Sequence, residues 1–226
     1  MQALAEQDAP SAVVFDLDGV LIESEGIWDS ARRRLVSETG GTWRDEATRA
    51  MLGISAPEWS RYVHEQLGVP LPPEVIDRRV VERGLEGYRS SLPLLPGALA
   101  AVRALASVWP LGLASSSNRV VIDEVLRLAG LTEDFAVTVS GEEVARGKPA
   151  PDVYEAAIEE LGVAPRRAVA IEDSSNGLRA AAGAGLRVIA VPNREFPPDA
   201  GALALADLVL GSLEQLTPAR VRSLLG

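Results

Sequence analysis

Val13-Val14-Phe15-Asp16-Leu17-Asp18-Gly19-Val20 is the stretch on which the fold turns. The apolar run Ala12 to Phe15 ends in two carboxylates at alternate positions, with a glycine directly behind them. Four β-favouring apolar residues bounded by turn chemistry read as a strand buried on both faces, and such strands belong to parallel sheets. In an open parallel sheet, ligands bind in the crevice beyond the strands' carboxyl ends, which is where Asp16 and Asp18 fall. Taken alone, Asp-x-Asp-Gly is equally an ordinary turn, with Asp capping backbone amides and Gly supplying positive φ. A calcium loop is excluded: the fifth and twelfth positions, which need acids, hold Val20 and Ile27.

Working outward, residues from Ser24 to about Leu92 show helical periodicity and no convincing strand. Helices are predicted over Glu25–Glu38, Asp45–Leu52, Pro57–Leu67 and Glu74–Ser90, with Gly40-Gly41, Gly53 and Gly68 as stops. Pro93 and Pro96 then bracket a stiff hinge. From Gly97 the pattern alternates. Helices are predicted at Ala98–Ser107, Arg119–Leu128, Asp152–Leu161, Ser175–Ala184 and Leu213–Leu225. They are interleaved with strands at Leu111–Ala114, Phe135–Val139, Arg167–Ile171, Arg187–Val191 and Asp207–Leu210. Strands separated by helices of this length predict an α/β fold, a Rossmann-like doubly wound parallel sheet. The catalytic core is expected to comprise residues 1–22 and 93–226, interrupted by an all-helical cap over 23–92.

Composition narrows the function. The 226 residues are 47% hydrophobic, enough for a sizeable core, and carry a net charge of −10. That charge opposes sustained contact with nucleic acid or an anionic membrane. The absence of cysteine excludes disulfides, zinc–thiolate sites and thiol nucleophiles. The opening Met1–Asp8 lacks the pattern of a signal peptide, and no apolar run is long enough to span a bilayer, so a cytoplasmic protein, acting as a monomer, is expected.

Parallel strands bring their carboxyl ends to one edge. That gathers Asp16 and Asp18, then Ser115, then Glu172 and Asp173, with Lys148 arriving on the loop after the Phe135–Val139 strand. Here the chain resembles the haloacid dehalogenase superfamily, in its β-phosphoglucomutase-like and sugar-phosphate phosphatase branch. The resemblance is carried by Asp16-Leu17-Asp18-Gly19-Val20, Leu113-Ala114-Ser115-Ser116-Ser117-Asn118, Gly147-Lys148-Pro149-Ala150-Pro151-Asp152 and Ile171-Glu172-Asp173-Ser174-Ser175-Asn176-Gly177. These motifs appear in the family's order and span residues 13 to about 193.

The resemblance implies Asp16 as a nucleophile that becomes an aspartyl-phosphate, and Asp18 as general acid–base. Ser115 and Lys148 would steady the phosphoryl group, with further contacts from Leu17, Ser116 and Asn118. Asp16, Asp18, Glu172 and Asp173 would bind Mg²⁺. For Glu172, a capping role competes equally with metal ligation. The chemistry agrees. An aspartate carboxylate is ionised at neutral pH without an activating base, its pKa in water being about 3.9. Four acids and a phosphate dianion, set against one lysine, call for a cation held by oxygen ligands.

The expected activity is therefore Mg²⁺-dependent hydrolysis of a small phosphorylated metabolite, a sugar or polyol phosphate. A phosphomutase is the alternative, a non-catalytic sensor of phosphometabolites a less favoured one, and dehalogenation is remote. Against the mutase, Trp28 stands where mutases of the family carry a cap histidine. Ala56 follows Gly53-Ile54-Ser55 where they carry a phosphate-gripping arginine. Trp28, Trp59 and Tyr62 are expected to pack the cap core rather than wall the substrate. Arg32, Arg33, Arg34 and Arg61 are expected to form a solvated face, and His64 to have a surface or packing role.

Overall fold

A computed structural model describes residues 11–51, 54–194 and 196–225. The stop assigned to Gly53, the Leu52 end of the second predicted helix and the reading of Met1–Asp8 lie outside the described residues. Six strands form one sheet: β1 (Ala12–Phe15), β2 (Leu111–Ser115), β3 (Val137–Ser140), β4 (Ala168–Glu172), β5 (Arg187–Ala190) and β6 (Leu208–Val209). Their order is β3-β2-β1-β4-β5-β6 and every pairing is parallel. The chain winds one way from β1 to β2 and β3, then returns to β1's other side for β4 to β6. A sheet reversing at β1 opens its crevice at β1's carboxyl end.

Side chains alternate across the sheet. Val13, Phe15, Leu113, Val169 and Ile171 enter one apolar cluster, while Ala12, Val14, Ala114, Ala168 and Ala170 enter another. Helices cover both faces: α5 (Ala98–Ala106), α6 (Arg119–Ala129) and α10 (Pro218–Leu225) on the first, α7 (Asp152–Glu160) and α8 (Ser175–Gly183) on the second. A short α9 (Ala200–Leu203) precedes β6. Residues 23–92 contain no strand among the described residues. They form α1 (Glu25–Glu38), α2 (Ala47–Ala50), α3 (Ala56–Glu65) and α4 (Pro73–Ser90).

Two crossing segments join this helical block to the sheet. Glu23 N donates to Pro93 O at 2.8 Å, Leu95 N donates to Leu21 O at 2.9 Å, and Ile22 bridges Leu94. The block's apolar stripe, from Trp28 and Leu35 to Tyr88, is continuous with the first cluster.

Most predicted boundaries differ from the observed ones by a residue or two. The closing helix is a larger departure. Instead of one helix over Leu213–Leu225 there is a 3₁₀ turn, Leu213–Gln215, and then α10. Pro218 disfavours helical geometry at Thr217, and so divides the segment. The helix predicted from Asp45 is only the single turn of α2. Among the described residues no helix is long and apolar enough to cross a membrane.

Candidate active site

β1 carries Asp16 to the crevice, where its amide donates to Ile171 O on β4 at 3.0 Å. Lys148 reaches it from the loop before α7. Its Nζ donates to Asp16 Oδ1 at 2.8 Å and to Glu172 Oε1 at 2.6 Å, and sits 5.0 Å from the centre of the Tyr154 ring. The Lys148–Pro149 peptide is cis. Burial alone would lower the lysine's pKa, but Asp16 and Glu172 outweigh it and hold the ammonium charged.

Glu172, at the end of β4, is fully buried and fully engaged. Its Oε1 also accepts from the Tyr154 hydroxyl at 2.8 Å, and its Oε2 accepts from the Asp173 and Ser174 amides at 3.0 and 3.4 Å. A Cβ on Gly177 would fall 1.8 Å from Glu172 Oε1, so only glycine lets the carboxylate tuck beneath the start of α8. Gly19 plays the matching part at β1: its φ is +80°, and a Cβ there would meet Asp173 Oδ2 at 2.1 Å. The two motif glycines thus make room for two carboxylates.

Asp16, Glu172 and Asp173 each bring a carboxylate oxygen within 4.8 Å of the others, all three buried. Asp173 Oδ1 is buried with no hydrogen-bond partner. Burial, opposed by Lys148 and reinforced by Glu172 and Asp18, pushes the Asp16 carboxyl up to about 7. Asp173 is driven well above its ordinary value by burial and then by Glu172 and Asp16. Burial comes first in both shifts, and three buried carboxylates with more negative charge than one lysine neutralises add to it. Hard oxygen donors with an open lone pair in a buried anionic pocket suit a divalent cation such as Mg²⁺. Asp16 and Asp173 offer those lone pairs. Glu172 belongs to the same group of three carboxylates, and both of its oxygens also accept hydrogen bonds, one of them from Lys148 Nζ.

Asp18 faces the crevice from the other side. Its Oδ2 accepts from the Ser117 hydroxyl at 2.6 Å and lies 3.5 Å from that of Ser115, while Oδ1 is buried without a partner. Ser115 is buried and its Oγ accepts from the Ser117 amide at 3.0 Å, so the turn before α6 closes on itself. Of the three serines after β2, Ser116 lines the open cleft. Leu17 is fully buried, its carbonyl accepting from the Leu21 and Ile22 amides. Asn118 sits apart from the carboxylates, where its Nδ2 donates to Glu142 at 2.9 Å and Asp77 at 3.4 Å. Asp16, Asp18 and Lys148, together with Asp173, line a cleft of about 520 Å³. Glu25 and Arg49 approach it from the helical block, and Asn193 from beyond β5.

Three side chains here, Tyr154, Ser117 and Arg32, escape the sequence reading. Tyr154 and Ser117 hold Glu172 and Asp18, and nothing but their motif neighbours marks them. Arg32 corrects an expectation: it is not part of a solvated face but 6% exposed, its guanidinium 5.4 Å from the centre of the Trp59 ring. The signal was present, because the buried residues of α1 are Trp28, Ala31, Arg32, Leu35 and Val36, the i, i+3, i+4, i+7, i+8 stripe of an inward face. Arg33, Arg34 and Arg61 are exposed as expected, as is His64. Trp28 and Trp59 are buried in the block's core and also wall a small adjoining cavity.

Fold and site together are those of a phosphoric monoester hydrolase. The profile described as haloacid dehalogenase-like hydrolase matches residues 10–185, and the chain belongs to that family. It is 35% identical over 212 residues to hexitol phosphatase B of Escherichia coli, spanning 91% of this chain and 94% of that one. It is 33% identical over 179 residues to a phosphorylated carbohydrates phosphatase of Thermotoga maritima, covering 79% and 83%. Among solved structures, CbbY from Rhodobacter sphaeroides in complex with phosphate superposes with a TM-score of 0.84 at 33% identity, covering 94% and 99% of the two chains.

Proposed function

We propose that this protein hydrolyses a small sugar or polyol phosphate with the aid of Mg²⁺, passing the phosphoryl group through Asp16. The observation that carries the reading is the buried junction of Asp16, Lys148, Glu172 and Asp173 at the mouth of a parallel sheet. In this reading the Asp16 carboxylate attacks phosphorus and the bond to the leaving oxygen breaks. Asp18 gives that oxygen a proton, then takes one from the water that cleaves the aspartyl-phosphate. Lys148, fixed by Glu172 and Tyr154, neutralises charge on the transferring group from a position that needs no rearrangement. Ser116 and backbone amides at the start of α6 hold a phosphoryl oxygen. Mg²⁺, held by Asp16, Asp173 and the Asp18 carbonyl, would supply Lewis-acid charge stabilisation. Residues 23–92 act as a cap over the core of 1–22 and 93–226, excluding water while the phosphoryl group moves.

Hydrolysis is favoured over mutase chemistry because Ala56 and Trp28 stand where a second phosphate would need cationic or basic partners. Incubating the protein and Mg²⁺ with a panel of phosphorylated sugars and polyols tests this. Free phosphate should accumulate with at least one member, and Asp16→Asn should abolish it by about 10³-fold or more. Accumulation of an isomer would establish the mutase. No turnover above the Asp16→Asn control with any member would leave a binding protein.

A further inference from the structure

One pair of charged groups, a buried arginine and a half-buried glutamate, takes no part in the phosphoryl chemistry. On α1, Arg32 is 6% exposed, yet its Nε and Nη1 have no hydrogen-bond partner among the described residues. The guanidinium carbon lies over the Trp59 ring, 5.4 Å from its centre, a contact that satisfies none of the N–H groups. At the start of the same helix, Glu25 has a buried Oε2 that is also without a partner. Each feels the other's charge, but no ion pair joins them among the described residues. Both line a cavity of about 100 Å³ walled by Trp28 and Trp59, and Asp18 and Ser116 line both this cavity and the larger cleft. A leaving group attached to a phosphoryl group near Asp18 therefore has this cavity as a neighbour.

Buried charges without hydrogen bonds are costly, and a ligand that pairs them recovers that cost. The chemistry of the pair restricts the ligand. Arginine only donates, in a fixed plane, and above pH ~7, where Glu25 is ionised, its carboxylate only accepts. A hydroxyl does both, and hydroxyls on adjacent carbons can give a proton to Glu25 while accepting from Arg32. The pair's formal charges cancel, so a second phosphate finds no net positive charge here and meets Glu25 directly. We propose that Glu25 and Arg32 form a diol-recognising subsite for the leaving group, which selects a neutral polyhydroxyl chain bearing one phosphate and disfavours bisphosphates. The proposal rests on the phosphatase reading of the same cleft.

The test compares kcat/KM, with Mg²⁺, for an acyclic hexitol phosphate, for hexyl phosphate and for a hexose bisphosphate. Sites built to bond a hydroxyl reject analogues lacking it strongly. The wild type is expected to prefer the hexitol ester over the hexyl ester by at least about 100-fold. Arg32→Met and Glu25→Gln should each shrink that ratio by at least about tenfold, chiefly through KM. Glu25→Gln should also narrow the disadvantage of the bisphosphate. Circular dichroism reports whether each variant folds; should Arg32→Met fail to fold, the near-isosteric Glu25→Gln carries the test alone.

A ratio that stays within about twofold in the folded variants, both esters slowing in parallel, would overturn the subsite and leave the pair a packing role. Turnover of hexyl phosphate with no preference for hydroxyls would do the same while keeping the phosphatase reading. A wild type inert toward all three esters, and toward the wider panel, would overturn both.

Discussion

Glu25 is a carboxylate held where water would serve it better. Its pKa is raised from 4.5 to about 7, first by burial, with Arg32 offsetting part of that and Asp18 adding to it. The folded protein thus keeps a proton that the unfolded chain releases. Stability from this group is fully present below about 4.5 and declines as pH rises to about 7, by about 1.4 kcal/mol per unit of pKa difference. Glu25→Gln removes the dependence. Its unfolding free energy, relative to wild type, should therefore climb by a few kcal/mol at most between pH ~4.5 and ~7 in urea titrations. A difference that stays flat across that window would contradict the burial assigned to this carboxyl. The same residue scale shows what sequence reading could reach. Asp16, Asp18, Lys148, Glu172 and Asp173 were legible because strand ends and loop order place them at one edge. Ser115 was legible by position, but its hydroxyl is turned into its own turn. Arg32 was misread by its charge, although its place on the α1 stripe pointed inward.

Among the elements, helices bounded by glycines were the most legible. Gly130 and Gly162, at φ +65° and +67°, end α6 and α7 within a residue of expectation. The ends of β3 and β6 were less so, since edge strands have fewer partners to define them. No local pattern discloses how the helical block meets the core. That contact is tertiary: Arg89 on α4 donates to Glu124 on α6 at 2.5 Å, and Asn118 reaches Asp77. A Cβ at Gly147 would lie 3.7 Å from that of Ser55, within the range that a disulfide spans. The chain has no cysteine of its own, so Ser55→Cys with Gly147→Cys introduces a single pair. If residues 23–92 open and close as a cap, the oxidised double variant should turn over at least about tenfold more slowly than its reduced form. Restoration by a thiol reductant completes the check. Equal rates in the two redox states would show that no such motion is needed.

For the whole molecule, one physical circumstance ties fold to function. A parallel sheet that reverses at β1 collects carboxylates from β1 and β4, and the lysine that follows β3, at one buried place. In the proposed function, a cation and a phosphoryl group would offset the mutual repulsion of these carboxylates, which Lys148 alone does not neutralise. The motif order made this convergence legible from the sequence alone. The side of the cleft lined by Glu25 and Arg49 was not, because side chains of residues 23–92 meet it through packing that has no short signature. The most direct measurement is an acid quench of the protein with Mg²⁺ and a phosphate ester during turnover, followed by peptide mapping. The account predicts a hydroxylamine-labile phosphate on the peptide that contains Asp16. Phosphate release at full rate with no protein-bound phosphate at any time point, or with the label on another residue, would contradict it.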